Sequence, residues 1–203
     1  MIMNINTIEA LRNLYPAPKE RARMKQLSAL DEHGHRFIQL SPFVVISSAS
    51  ALHAMDASPR GGEPGFVKVL DERTLLIADV PGNNRLDTLE NIVATGAVGL
   101  LFMIPGVDET LRVNGSARLS ISPEHIRVFS NQKRQPKLVI EVVVAQAYLH
   151  CAKALMRSRL WDAASQVDRS VLPTMGQMIN DQIGVEAPAE SQADMLARYA
   201  ADL

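Results

Sequence analysis

The chain has 203 residues, of which 47% are hydrophobic and 21% are charged, as in an ordinary globular protein that buries a sizeable core. Its 21 Lys and Arg nearly balance its 22 Asp and Glu, so the net charge of -1 offers no global basic field to nucleic acid or an anionic membrane. Cys151 is the only cysteine, which excludes an internal disulfide and a cysteine-built zinc site. The first 13 residues contain no long apolar run, so we expect a cytoplasmic protein without a leader or membrane span.

The pattern of residues 1–35 predicts an N-terminal helical segment. Thr7 is placed to cap a short helix that ends before Pro16, and a second helix is expected from residue 18 to about residue 32. His33 and His35 flank Gly34 in an expected helix-end turn, and no third nearby ligand accompanies them. We therefore assign no metal site to this segment.

The sequence pattern of residues 36–146 predicts a small antiparallel β-barrel. Strands are expected at residues 36–48, 65–70, 74–78, 97–104, 109–120 and 137–145. One helix is expected to follow residue 85 and end at Gly96, and another to start near Ser122. The strands outnumber the helices and lack the βαβ rhythm of a doubly wound sheet.

The last segment, residues 147–203, is predicted to be helical again. Helices are expected at residues 147–160, 174–182 and 191–201, with the Gly184 to Pro188 stretch separating the last two. No repeat or low-complexity linker marks a domain boundary.

Two arginine-containing loops flank the predicted hairpin, and they are the strongest functional signal. Residues 58–62, which contribute Ser58 and Arg60, precede the hairpin, and residues 81–85, which contribute Asn83, Asn84 and Arg85, follow it. Glycine lets the backbone approach a ligand closely, and arginine offers a fork of donors that matches phosphate oxygens. The sequence therefore predicts an anion held against a small sheet.

The order of the motifs resembles a known superfamily. The motifs are FVVISSAS, DASPRGGEPGFVKVL, TLLIADVPGNNRLDTLENI, VGLLFMIPG, ETLRVNGSARLS and HCAKALMRSRLWD. Together they are similar to the pyridoxamine 5'-phosphate oxidase-like, flavin-binding split-barrel superfamily, and closest to a bacterial branch of it. The resemblance covers roughly residues 20 to 180. It implies a mainly β protein with a six-stranded antiparallel split barrel and peripheral helices at both termini, and a homodimer that binds two FMN molecules at its interface.

The resemblance also implies roles for particular residues. Arg85 is expected to bind the FMN phosphate, with Asn83 and Asn84 donating alongside and Arg60 as a second contact. The strand containing Phe66, Val67 and Lys68 is expected to run beside the isoalloxazine, and Ala78 and Asp79 are expected near the ribityl chain. Candidates to reach the flavin from the other subunit are Lys153, Arg157 and Trp161.

Each of these residues also has a structural interpretation. Arg60 and Arg85 are alternatively surface turn residues, Lys68 a solvent-facing strand residue, Arg157 a helix C-cap and Trp161 a packing anchor. Cys151 is expected to be a buried small hydrophobe.

The chain departs from the pattern of the oxidases at two positions that matter for their chemistry. The oxidases end in an Arg-x-His type segment, whereas this chain ends in ARYAADL, and their Arg-Lys phosphate pair is reduced to Asn84-Arg85. We therefore do not expect vitamin B6 oxidation, and no residue stands out as a general base. The leading interpretation is an FMN-dependent oxidoreductase. The alternatives are a flavin-binding redox sensor without turnover, or a barrel that holds F420 or haem, with His150 as the one plausible axial ligand.

Overall fold

The computed structural model describes residues 4–80 and 82–200. The strands are, in chain order, β1 (Phe43–Ala49), β2 (Met55–Gly61), β3 (Lys68–Asp71), β4 (Thr74–Ala78), β5 (Ala97–Met103), β6 (Thr110–Ser120) and β7 (Val139–His150). The helices are α1 (Ile8–Arg12), α2 (Glu20–Met24), α3 (Glu32–Leu40), α4 (Asp87–Thr95), α5 (Pro123–Arg127), α6 (Lys153–Ser158), α7 (Met175–Ile183) and α8 (Gln192–Ala200). Two single-turn 3₁₀ helices lie at Ala163–Ser165 and Arg169–Val171.

All seven strands form one antiparallel sheet in the order β2-β1-β5-β6-β7-β4-β3. The architecture is the expected antiparallel split barrel with helices at both ends. It has seven strands rather than the six expected, because residues 55–61 pair with β1 instead of forming a loop.

The main core lies on one face of this sheet, against α3 and α4. β1 and β5 alternate buried and half-buried residues, as expected for strands with one covered face. Phe37 and Ile38 of α3 and Leu89 and Ile92 of α4 pack against that face. A smaller cluster under α5, with Phe129 at its centre, covers part of the opposite face.

The element boundaries before β1 differ from those expected. Residues 37–40 belong to helix α3, whose start is fixed by Asp31, since its carboxylate accepts a hydrogen bond from the Gly34 amide at 2.7 Å. His33 and His35 consequently lie inside this helix. The helix expected over residues 18–32 is confined to α2, because Leu27 pairs with Ala147 of β7.

At the C-terminal end of the barrel, β7 continues to His150, so that the helix expected from residue 147 starts only at Lys153. Residues 147–150, which were expected in that helix, are strand residues, and Cys151 is exposed rather than buried. The helices expected at residues 174–182 and 191–201 are present as α7 and α8, although residue 201 lies outside the described range. No helix in the described part of the chain is long and apolar enough to cross a lipid bilayer.

Candidate functional site

The inward face of β2 is polar and meets the start of α4. Asp56, Ser58 and Arg60 occupy alternate, half-buried positions on this strand. Their partners on β1 include Val44 and Ile46, whose side chains are fully buried. Because directly paired residues share a face of the sheet, the three polar side chains of β2 point to the covered side, at its edge.

A network of hydrogen bonds centred on Asp56 fixes α4 against this edge. The Asp56 carboxylate accepts from Thr88 Oγ1 at 2.6 Å, from Ser58 Oγ at 2.9 Å and from Ser48 Oγ at 3.3 Å. Asn91 Nδ2 donates to Ser48 Oγ at 3.0 Å from the next turn of the helix. Thr88, Ser48 and Asn91 are buried, so the network positions the helix start with little freedom.

The turn before α4 is strained and tightly folded. Asn84 and Leu86 have φ angles of 59° and 60°, the left-handed region that non-glycine residues rarely adopt. The Asn83 side chain accepts a hydrogen bond from the Arg85 amide at 3.0 Å, which closes the turn. The N-cap residue, Leu86, offers no side-chain acceptor, so the first amides of α4 have no cap.

Arg85 extends from this turn with its side chain 76% exposed. Its Nε donates to Asp87 Oδ2 at 2.8 Å, and this hydrogen bond is the main reason that the pKa of Arg85 is raised above its ordinary value. Asp56 contributes to the same shift, which places the Arg85 charge within reach of β2.

Asp79 directly follows β4, and it lies close enough to Arg60 to interact with its charge. Burial raises the pKa of the Asp79 carboxyl, and the positive charges of Arg60 and Lys137 oppose that rise. Its amide donates to the Leu138 carbonyl at 3.1 Å, which holds the residue beside the end of β7. A carboxylate with a perturbed pKa beside an arginine is a common mark of a functional site.

Together, Asp56, Ser58, Arg60, Asp79 and Arg85 form the β2–α4 corner. Two guanidinium groups and the uncapped amides of a nine-residue helix make this corner suited to a phosphate or another anion. Asp87 already binds Arg85, so an incoming anion must either share Arg85 with the Asp87 carboxylate or displace that carboxylate.

The residues expected beside the flavin differ in how deeply they are buried. Val67 is 2% exposed within the main core, which leaves its backbone as the only part able to meet a ligand. Phe66 is half-buried against that core, and Ala78 is buried against the cluster under α5. Lys68 Nζ donates to the Gly65 carbonyl at 2.8 Å, so its charge is held close to its own strand.

The three residues proposed to act from the other subunit lie beyond the last barrel strand. Lys153 and Arg157 are exposed on α6. Trp161 Nε1 donates to the Val107 carbonyl at 2.9 Å, which ties this segment to the loop between β5 and β6. Within the described chain no hydrogen bond or ion pair joins them to the β2–α4 corner, so their part in a site in a dimer stays a prediction.

Asp56 and Thr88 are members of the site that the sequence analysis missed. The available signal was the alternation of polar residues at positions 56, 58 and 60, which is the pattern of a strand with one polar face. Pro59 and the two following glycines concealed it by suggesting a loop. Among the described residues no cluster of His, Cys, Asp or Glu is arranged to hold a metal ion.

An antiparallel split barrel, with Arg60 on one edge strand and Arg85 just before α4, defines the class of protein. Within that class, the family model for pyridoxamine 5'-phosphate oxidase matches residues 30–151, more than half of the chain. The chain therefore belongs to this family, as the resemblance of its motifs predicted. No curated protein matches the sequence.

The chain is similar to several solved structures at low sequence identity. A histidine-to-alanine variant of HupZ from Group A Streptococcus is 14% identical with a TM-score of 0.50, over 59% of this chain and 98% of that one. An FMN-binding protein from Syntrophomonas wolfei is 9% identical with a TM-score of 0.47, over 71% of this chain and 97% of that one. An FAD-binding protein from Mycobacterium smegmatis is 13% identical with a TM-score of 0.43, over 61% and 97% of the two chains.

Proposed function

We propose that this chain is a flavoprotein that binds FMN and works as an FMN-dependent oxidoreductase. Its membership of the pyridoxamine 5'-phosphate oxidase family supports the flavin. The observation that carries the choice of FMN is the β2–α4 corner, where Arg60 lies near Asp79 and Arg85 lies near Asp56 at the uncapped start of α4. Such a set of donors suits a terminal phosphate monoester.

The residues of the corner fit the polar half of FMN. Arg85 has the exposure needed to take a phosphate, and its partner Asp87 is itself accessible, with a side chain 45% exposed. Ser58 and Asp79 lie on the neighbouring elements and supply hydroxyl and carboxylate groups that match the hydroxyls of the ribityl chain. Arg60 lies near Asp79 and neutralises part of its charge.

The bound flavin supplies the electron acceptor, and the protein supplies position and electrostatics. Asp56 and its hydrogen bonds hold α4 still, so that Arg85 meets the phosphate in one orientation. Lys68 on β3, or Lys153 of the partner, is our candidate to stabilise negative charge on the reduced ring. We propose a homodimer in which the partner's α6 segment covers the ring, with Lys153, Arg157 and Trp161 nearest to it.

Haem is disfavoured as the occupant by the surroundings of the one candidate axial ligand. His150 Nε2 is buried at the end of β7 and has no hydrogen-bond partner, so this ring nitrogen is not presented to an iron.

The visible spectrum of the purified full-length chain tests the proposal, followed by release and mass measurement of the chromophore. An oxidised flavin spectrum with the mass of FMN supports it, whereas a colourless protein that does not take up added FMN contradicts it. Flavin reoxidation coupled to a substrate separates an oxidoreductase from a flavin-binding redox sensor.

Arg85→Ala tests the assignment of the phosphate site. We expect FMN affinity to fall roughly tenfold or more, because a charge-assisted hydrogen bond to the phosphate is lost. Riboflavin, which lacks the phosphate, should bind almost unchanged in a fluorescence-quenching titration. Arg127→Ala removes an equal charge from exposed α5 and is the matched control. Equal losses for FMN and riboflavin would place the phosphate elsewhere.

A further inference from the structure

A second group of cationic and aromatic residues lies on the outer side of β6 and β7. Arg112 pairs with Tyr148 across the two strands, and Thr110 pairs with His150 one step further along. Leu111 and Val113 are buried in the main core, so Arg112 between them points to the opposite face. The pairing of Leu27 with Ala147 brings Lys25 alongside. We call Lys25, Arg112, Tyr148 and His150 the Tyr148 cluster.

The members of the Tyr148 cluster are in direct contact. Arg112 Nη1 lies 2.8 Å from Tyr148 Oη, and the Lys25 ammonium donates to the Leu149 carbonyl at 2.6 Å. Lys25 Nζ and Arg112 Cζ lie 5.3 Å and 5.5 Å from the centre of the Tyr148 ring. The rings of Tyr148 and His150 are 5.1 Å apart at an angle of 49°.

The positive charge of this cluster has no anionic counterpart. In residues 4–80 and 82–200, no carboxylate lies within ion-pair distance of Lys25 or Arg112, although Arg73, Arg85, Arg118, Arg159 and Arg198 have such partners. Burial lowers the pKa of His150, and the charges of Arg112 and Lys25 lower it further. His150 Nε2 is buried without a hydrogen-bond partner. Two cations therefore lie beside an aromatic face and beside an imidazole whose charged form they disfavour.

We propose that the Tyr148 cluster is an anion-binding site that accepts the carboxylate or phosphate group of an organic ligand. Arg112 and Lys25 supply the charge, and the hydrogen bond from Arg112 Nη1 to the Tyr148 hydroxyl leaves other N–H groups of the guanidinium for a ligand. Leu101 of β5 pairs with Arg112, and Val45 of β1 pairs with Leu101. These outward residues offer an apolar surface for the body of such a ligand.

This site is distinct from the β2–α4 corner and does not depend on the FMN proposal. Arg60 and Arg112 lie on strands separated by β1 and β5, about 14 Å apart at the usual strand spacing. They also point to opposite faces, since Arg60 pairs with the buried Val44, whereas Val45 shares the face of Arg112.

Binding of an anion should be coupled to the protonation of His150. Besides Tyr148, the charged groups that face His150 are Arg112 from β6 and Lys25 from the segment after α2. An anion between them cancels the charges that disfavour the imidazolium, so the His150 pKa rises when the site is filled. By linkage, an anion binds more tightly as pH falls through that pKa.

NMR titration of the five histidines in the full-length chain tests this inference. His150→Gln assigns the resonance, and sodium sulfate is compared with sodium chloride at equal ionic strength. We expect sulfate to raise the His150 pKa in a saturable way that chloride does not reproduce. Sodium acetate and inorganic phosphate are then compared, and a response to either one identifies which anionic group the site prefers.

Variants make the test specific to these residues. Arg112→Gln and, separately, Lys25→Gln should each weaken sulfate binding about tenfold and reduce its effect on His150. Arg127→Gln, on exposed α5, removes an equal charge and should leave both unchanged. The proposal is overturned if sulfate acts no differently from chloride on His150. It is equally overturned if the Arg127 variant loses as much affinity as the Arg112 variant.

Discussion

Asp79 shows how a single residue can be costly for the fold and useful for a site. Its carboxyl is half-buried, and burial is the largest cause of its raised pKa even though Arg60 and Lys137 favour the charged form. Ionising this carboxyl is thus less favourable in the folded chain than in the unfolded one. A residue that opposes stability in this way is more readily explained by a ligand than by packing.

Asp79→Asn should stabilise the ligand-free chain at pH 7, because it removes the cost of ionising a buried carboxyl. The folded pKa lies above the ordinary value of 3.8, so the folded state retains the proton to higher pH than the unfolded state. That cost is present above the folded pKa and disappears as pH falls below 3.8. Urea unfolding at a series of pH values should show the variant's advantage shrinking with acid.

Glu186→Gln removes a carboxylate from an exposed site and should show no such pH-dependent gain. An Asp79 variant that is less stable than the parent at pH 7 would mean that its ion pairs outweigh its burial. If the FMN proposal holds, the same variant should bind FMN and riboflavin more weakly to a similar degree, since both carry the ribityl chain.

At the scale of elements, a bulge in β7 shapes the long β6–β7 ladder. Asn114 pairs with Gln146 and Gly115 pairs with Val144, so that Ala145 of β7 is the extra residue at this step. A Cβ added at Gly115 would overlap the carbonyl oxygen of Val143. A glycine is therefore required at this position for reasons of space rather than of backbone angle.

Gly115→Ala should lower the free energy of unfolding by about 3 kcal/mol, because two backbones must separate to admit the methyl group. Gly82→Ala is the matched control, since an added Cβ there meets nothing within 4 Å. Thermal unfolding of both variants measures the difference. Equal stabilities would show that the ladder shifts its register at little cost.

The sequence predicted most elements of this fold because their apolar periodicity is strong and local. β1, β4 and β5 are short runs of apolar and β-branched residues, and Thr74 to Ala78 is fully recognisable without tertiary information. β2 was wrongly expected to be a loop, because Pro59 and Gly61 are turn formers. An edge strand tolerates them, since only one side of β2 pairs with a neighbour.

The candidate site was predictable only in part, because local patterns are visible in the sequence whereas contacts between distant residues are not. Arg60 and Arg85 were identifiable from their glycine and asparagine neighbours. Asp56 and Thr88 were not, because their contact joins residues 32 positions apart and depends on the docking of α4 onto β2. Likewise, Tyr148 and Arg112 meet only once β6 and β7 pair, and no local pattern encodes that contact.

At the scale of the whole molecule, the terminal segments are much less buried than the barrel. None of the described residues of α1, α2, α6, α7 or α8 is buried. Helices of this length are not stable in isolation and normally draw their stability from a packed apolar face. Their exposed apolar residues are consistent with the homodimer proposed above, in which a second copy covers them.

Helix α7 presents the clearest such face. Met175, Ile179 and Ile183 follow one another at intervals of four residues, and their exposures are 50%, 44% and 65%. Residues at this spacing lie on one side of a helix. If that side contacts the partner, burying it contributes to dimer stability at roughly 25 cal/mol per Å² of apolar surface.

Ile179→Lys should therefore weaken the dimer, because a charge placed in an apolar interface must be desolvated without a partner. Sedimentation over a range of concentrations should show a parent of about twice 22.3 kDa and a variant that dissociates at higher concentration. Gln177→Lys adds the same charge to the opposite side of α7, next to Asp181, and should leave the mass unchanged. Because the partner's α6 segment is expected to cover the flavin ring, dissociation should also release FMN more readily. A monomeric parent that retains FMN would mean that one chain alone completes the site.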